Sequence, residues 1–286
     1  MWSTQLVFKA YLCLGLFVWM LNGITLVESV PAVKLGSKAY PKKTNQNLYR
    51  RVPLKKGNDS IYFDVYFVDL DHSELNFYHE KPSGEKIKNI KTLKTFLESG
   101  KQKLLFATNG GMFNPEYEPV GFYLENGIEK YPLNLKKGGN KFTNFYDLAP
   151  NGVFYIQQDN KCGIVPRHTF TKVENVKHAT QSAPMLIVNK EINKKFNSKS
   201  KSVNIRNGVG VTKKNGIMDK FELMFAISNT KVSFHDFSRI FLYYGCEQAL
   251  YLDGYVSEMY VPDTKNTART MTQNDFALMI GVTENF

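Results

Sequence analysis

Residues 61–69, Ile-Tyr-Phe-Asp-Val-Tyr-Phe-Val-Asp, are β-branched or aromatic at nearly every position and predict a strand. Residues 75–79 are expected to return as its partner. A short helix is expected over 92–99, with Gly100 placed to end it. Residues 103–108 are again strand-like and run into Asn109-Gly110-Gly111. Asn-Gly pairs favour hairpin turns, which predicts one hairpin from 121–125 across Asn126-Gly127 and another from 209–212 to 221–228 across Asn215-Gly216. Residues 153–156 are expected to pair with 163–165, and 184–188 form a further apolar strand. Ser233 and Asp236 have capping-box spacing, so a helix should start there and run to Tyr244 before Gly245. The buried run 249–252 follows, and 276–282 should close the sheet.

Strand, helix and strand in alternation predict an α+β or mixed α/β fold, with a mixed central sheet, hairpins and a few helices. No repeat or linker interrupts 58–286, so one domain is expected there. Residues 30–57 are basic and polar, carry Pro31, Pro41 and Pro53, and read as a linker or irregular arm. Ahead of them Lys9, the apolar stretch 10–21 and the polar Asn22-Gly23 have the layout of a secretory signal. Residues 1–29 are therefore expected to be a signal peptide, and the protein to be exported: periplasmic, cell-surface or secreted. A membrane contact is expected only if this segment stays uncleaved.

Charge narrows the partners. The 286 residues carry a formal net charge of +11, and loss of 1–29 removes Lys9 and Glu28, leaving that excess unchanged. Such a surface favours phosphates or acidic glycans. The lysines are scattered and not interleaved with aromatics, so no nucleic-acid partner is expected. His72, His79, His168, His178 and His235 form no metal motif, and no cofactor is required. Cys162 and Cys246 could pair in an exported protein or remain two buried thiols.

Three segments break from an apolar strand into small polar residues: Thr108-Asn109-Gly110-Gly111-Met112-Phe113, Ile205-Arg206-Asn207-Gly208-Val209-Gly210 and Leu252-Asp253-Gly254-Tyr255-Val256-Ser257. Each sets a polar side chain beside glycine, which suits a cleft where backbone amides face a ligand. Together with Pro150-Asn151-Gly152-Val153-Phe154 and Thr180-Gln181-Ser182-Ala183-Pro184, in this order, they resemble the phosphodiester glycosidase family over residues 60–283. The resemblance implies hydrolysis of a sugar joined through its anomeric carbon to a phosphodiester, with a phosphate-linked sugar or anionic glycan as substrate. The family's commoner motif has three glycines after the aspartate. Here Gly254 keeps the first, and Tyr255 and Val256 in place of the second and third imply a bulkier rim.

The residue types fit that chemistry. Asp253 is the candidate nucleophile, general acid/base or electrostatic stabiliser of an oxocarbenium-like transition state. Arg206 offers a permanently charged fork for phosphate oxygens, or else a structural ion pair. Asn109 could bind sugar hydroxyls or phosphate, or simply hold a turn. Gly110, Gly111 and Gly254 would bring backbone to the substrate, and Asn151, Gln181, Ser182 and Ser257 are further candidate contacts. Glu258, the nearest second carboxylate, lies outside the family motif and is expected at the surface. A non-catalytic envelope module that holds anionic glycans in the same cleft is the competing reading.

Overall fold

A computed structural model describes residues 48–135, 150–212, 223–253, 256–262 and 274–286. The expected leader, the Asn215-Gly216 turn and Gly254 lie outside these residues. In chain order the first half contains β1 (Tyr49–Lys56), β2 (Asp59–Val68), β3 (Glu74–Tyr78), α1 (Ile90–Ser99), β4 (Gln102–Asn109), β5 (Tyr123–Glu125), β6 (Ile128–Tyr131), β7 (Gly152–Gln157) and β8 (Cys162–Pro166). The second half contains β9 (Val176–Ser182), β10 (Met185–Val188), β11 (Glu191–Ile192), β12 (Asn207–Val211), β13 (Leu223–Ser228), α2 (Phe234–Tyr243), β14 (Gln248–Tyr251), β15 (Met259–Tyr260) and β16 (Met279–Asn285).

These strands form three sheets, in the orders β1-β2-β13-β12-β14-β10-β11, β15-β4-β16-β3 and β6-β5-β9-β7-β8. Each pairing between named strands is antiparallel. The fold is therefore mostly β, and the expected mixed α/β sheet is corrected. The reason lies in two strand–helix–strand units. In β3-α1-β4 the outer strands run the same way, but β16 lies between them and is antiparallel to both. In β13-α2-β14 the intervening strand is β12. Local sequence shows the helix between two strands; a strand inserted from elsewhere in the chain removes the parallel pairing.

The same insertion corrects the partner of β3, which pairs with β16 and not β2. Residues 49–56 form β1, with Val52 and Leu54 inward and Arg51 and Lys55 outward, paired along its length with β2. Pro53 is tolerated because β1 is an edge strand.

One core joins the inner faces of the sheets, with Tyr66, Phe77, Phe106, Tyr123, Phe154 and Phe225 among its buried members. Phe237, Ile240 and Phe241 of α2 cover the outer face of the seven-stranded sheet. Leu93 and Leu97 of α1 pack with Leu104, Ala107 and Met279 on the outer face of the four-stranded sheet. Both helices start on the expected kind of residue. The Asn89 side chain accepts from Thr92 N–H at 2.9 Å and Ser233 Oγ accepts from Asp236 N–H at 3.1 Å, satisfying donors a helix start would leave unpaired.

Candidate functional site

The polar segments singled out in the sequence converge where two sheets meet. β4 ends at Asn109, β12 begins at Asn207, and the chain leaving β14 passes through Leu252 and Asp253. Because β12 and β14 are antiparallel, the start of one lies beside the end of the other, and Leu252 N–H donates to the Asn207 carbonyl at 3.2 Å. The chain then crosses to β15, which pairs with β4 through Met259 and Thr108.

Asn207 holds this crossing together. Its buried Nδ2 lies 3.0 Å from the Asn109 carbonyl, 3.0 Å from Asn109 Oδ1 and 3.2 Å from Thr108 Oγ1. Its Oδ1 accepts from Asp253 N–H at 2.9 Å. Ser257 Oγ donates to the Asp253 carbonyl at 2.6 Å. Asn109 Oδ1 also accepts from Glu258 N–H at 3.0 Å, while Asn109 Nδ2 is buried without a hydrogen-bond partner. A buried amide normally satisfies its donors.

Sequence reasoning assigned no role to Asn207 or Thr108. The signal for Asn207 was present, since Asn207-Gly208 repeats the strand-end pattern of Asn109-Gly110. The surface position expected for Glu258 is corrected: the residue is fully buried, and its carbonyl accepts from Thr108 Oγ1 at 2.8 Å. Its neighbours Met259, Tyr260 and Val261 are all buried, so Glu258 belongs to an inward-facing run.

The other predicted residues divide by what they touch. Gly110 lies against Leu278, and Gly111 lies so near β9 that a Cβ would stand 2.8 Å from the Gln181 carbonyl. Ser182 Oγ donates to the Leu252 carbonyl at 2.7 Å. Gln181 is committed to architecture. Its Oε1 accepts from the N–H groups of Phe122 at 3.0 Å and Asn134 at 2.9 Å, and its Nε2 donates to the Asn134 carbonyl at 2.8 Å. Asn151 accepts from Arg167 Nη1 at 3.0 Å, and the same nitrogen lies 3.1 Å from the Asn134 carbonyl. Gln181 and Asn151 thus support the wall behind the glycine turn.

Arg206 lies on the opposite face of β12 from Asn207. Val209 belongs to the inner core, whereas Gly208 faces Phe237 and Gly210 faces Phe241 of α2. On that outer face the Arg206 guanidinium lies 3.6 Å from the centre of the Phe234 ring and 5.4 Å from that of Tyr251. Nε donates to the Val232 carbonyl at 2.9 Å and Nη2 to the Ser202 carbonyl at 3.4 Å. The residue is 2 % exposed, and no carboxylate among the described residues forms an ion pair with it. Burial lowers its pKa, partly offset by the hydrogen-bonded Tyr251 hydroxyl. Burial likewise pushes the Tyr251 phenol well up, with Arg206 opposing and the nearby Asp253 carboxylate adding to the rise. Tyr251 therefore connects the cation electrostatically with Asp253, which is half-buried.

Among the described residues no group of three His, Cys, Asp or Glu side chains is placed to hold a metal. Cys162 and Cys246 form no disulfide. Cys246 is buried on the α2 side near Gly210, where burial raises its thiol pKa strongly, whereas Cys162 belongs to β8 in another sheet.

Residues 102–283 match the phosphodiester glycosidase family. The uncharacterized protein YigE of Escherichia coli is 35% identical over 224 residues, which cover 78% of this chain and 82% of that protein. The catalytic domain of zebrafish N-acetylglucosamine-1-phosphodiester alpha-N-acetylglucosaminidase, solved in a form auto-inhibited by its pro-peptide, superposes with a TM-score of 0.55 at 14% identity, covering 83% of this chain and 82% of that one. A hypothetical protein from Synechocystis gives a TM-score of 0.54 at 12% identity, covering 82% of this chain and 61% of that one. At these identities the two structures speak for the fold.

Proposed function

The chain belongs to the phosphodiester glycosidase family, and from that membership we propose that it is an exported hydrolase of sugar-1-phosphodiesters, acting on a phosphate-linked glycan or cell-envelope polymer. Export rests on Lys9 and the apolar stretch 10–21. The observation that carries the substrate class is Arg206, a buried cation with no ion pair to a carboxylate among the described residues. A buried charge is costly unless matched, and a phosphodiester supplies the missing anion with oxygens spaced for the guanidinium fork.

In the reaction the bond between the anomeric carbon and the phosphate oxygen breaks, and its electron pair leaves with the phosphate as a phosphomonoester. Water adds its oxygen to the anomeric carbon, and its proton passes to Asp253 or to solvent. Arg206 stabilises charge that grows on the departing phosphate, an effect worth most in a water-poor site. Asp253 stabilises the oxocarbenium-like carbon directly or through a covalent intermediate. Asn109, which meets Asn207 on the other face of β12 from Arg206, positions the Asp253 backbone through Asn207. Asn207 and Ser257 hold the backbone that presents Asp253.

The test is release of phosphomonoester from a panel of sugar-1-phosphodiesters, followed by phosphorus NMR. Asp253→Asn should abolish release while leaving substrate binding intact or tighter, because a negative charge facing phosphate has gone. Arg206→Lys keeps the charge but loses the fork; charged hydrogen bonds are worth about 1.5–3 kcal/mol each, so kcat/KM per folded molecule should fall about tenfold to a hundredfold or more. Melting temperature also drops in this variant, since the Val232 carbonyl keeps Asn204 N–H but loses the Arg206 donor. Near-normal turnover by Arg206→Lys, measured well below its melting point, would remove Arg206 from the chemistry.

A further inference from the structure

The catalytic reading leaves a basic loop beside Arg206 unused. Between β11 and β12 the chain reads Asn193-Lys194-Lys195-Phe196-Asn197-Ser198-Lys199-Ser200-Lys201-Ser202. Lys194 is matched by Glu191 at 3.4 Å, and Lys190 by Glu247 at 3.0 Å. Lys195, Lys199 and Lys201 are exposed and have no ion-pair partner among the described residues.

The loop is held in place. Buried Asn193 donates through Nδ2 to the Met185 carbonyl at 2.9 Å and accepts at Oδ1 from Lys195 N–H at 3.1 Å. Asn197 Oδ1 accepts from Lys199 N–H at 2.8 Å. At its far end the Ser202 carbonyl receives Arg206 Nη2. At its apex Phe196 stacks on Phe234 with ring centres 5.1 Å apart and planes at 14°, and Phe234 lies under the Arg206 guanidinium. A continuous column thus runs from Tyr251 through Arg206 and Phe234 to half-exposed Phe196, in the same loop as the exposed Lys195, Lys199 and Lys201.

Resting on the catalytic reading above, we propose that the loop over 193–202 is a second anion subsite. It takes the next phosphodiester of a repeating phosphate-linked glycan, so the preferred substrate is a polyanionic chain and not a single sugar phosphodiester. A freely solvated lysine face would need neither anchoring asparagines nor an aromatic at its apex. Phe196 offers a flat apolar surface to the C–H face of a sugar ring. Lysines, as flexible point charges, suit phosphates whose positions vary along a mobile polymer. Fixing the loop beforehand lowers the ordering cost of binding.

The experiment uses full-length protein carrying Asp253→Asn, so that substrate is not consumed. Calorimetry compares a synthetic hexamer of N-acetylglucosamine joined through 1,6-phosphodiesters with the one-unit methyl phosphodiester of the same sugar. The hexamer should bind at least about tenfold more tightly and weaken as salt rises, since exposed charge pairs are screened. Adding Lys195→Ala, Lys199→Ala and Lys201→Ala together should cost hexamer affinity about tenfold, as three exposed pairs do, with one-unit affinity unchanged. Phe196→Ala should weaken the hexamer selectively. Equal affinity for hexamer and single unit, or an unaltered hexamer affinity in the lysine variant, would overturn the subsite. Equal binding of a hexamer with uncharged linkages would do the same. Failure of wild-type protein to release phosphomonoester from the one-unit probe would count against the catalytic reading alone.

Discussion

Replacing Asn207 by aspartate changes one NH2 to oxygen and leaves the shape almost untouched. In the native protein that nitrogen faces three acceptors within 3.2 Å: the Asn109 carbonyl, Asn109 Oδ1 and Thr108 Oγ1. The introduced carboxylate would turn an acceptor toward acceptors and place an unmatched charge where the wild-type side chain is only 1% exposed. Loss of two donated bonds costs about 1–3 kcal/mol in total, and an uncompensated buried charge brings the sum to about 3–5 kcal/mol. For a domain of roughly this size that corresponds to a fall in Tm of about 10 °C.

The pH dependence gives a second signature. Burial among acceptors raises the introduced carboxyl's folded pKa above the ordinary aspartate value of about 3.9. Protonation then restores one donor. The deficit relative to wild type should therefore be smallest below about pH 4 and grow as pH rises toward the folded pKa. Differential scanning calorimetry of both proteins from acid to neutral pH reads the effect. A Tm within about 2 °C of wild type at neutral pH, on the same scale, or a deficit that widens in acid, would refute the idea that Asn207 joins the two sheets by donation.

Two further outcomes are expected. Gly110→Ala would drive a Cβ into the Leu278 side chain. Overpacking of this kind costs about 1–3 kcal/mol, and combining it with Leu278→Ala should recover part of the loss; strictly additive shifts in urea midpoint would contradict that contact. His178 is fully buried, stacks on Phe77 at 5.1 Å, and is pushed down to about 4 by burial. Because the unfolded chain takes up this proton near pH 6.5 and the fold does not, stability should fall by about 3 kcal/mol between about pH 6.5 and 4 and then level off. His178→Gln should flatten that part of the curve; an unchanged slope would mean that another group titrates.

Local patterning was sufficient for most elements of this protein. The β-branched and aromatic run 61–69 became β2, the Ser233–Asp236 spacing became the start of α2, and Asn126-Gly127 became the turn between β5 and β6. Period, capping and turn chemistry act over a few residues, so the chain states them directly. The three strand-end motifs converge in space, where Asn109, Asp253 and Ser257 meet through Asn207.

Tertiary structure decided what depends on residues far apart in the chain. Insertion of β16 between β3 and β4, and of β12 between β13 and β14, made the sheets antiparallel, although each helix still connects strands that run the same way. Whether Gln181 faced a ligand or a wall depended on Asn134 and Phe122, which lie 47 and 59 residues away. Glu258 was buried by pairing of its neighbour Met259 with Thr108. Most telling is Arg206. Its sequence announced a cation beside glycines, but only the packing of Phe234 and Tyr251 against it, with no carboxylate brought into pairing distance among the described residues, made it a buried charge. Side-chain chemistry is written locally; desolvation is set by whatever the rest of the fold brings alongside.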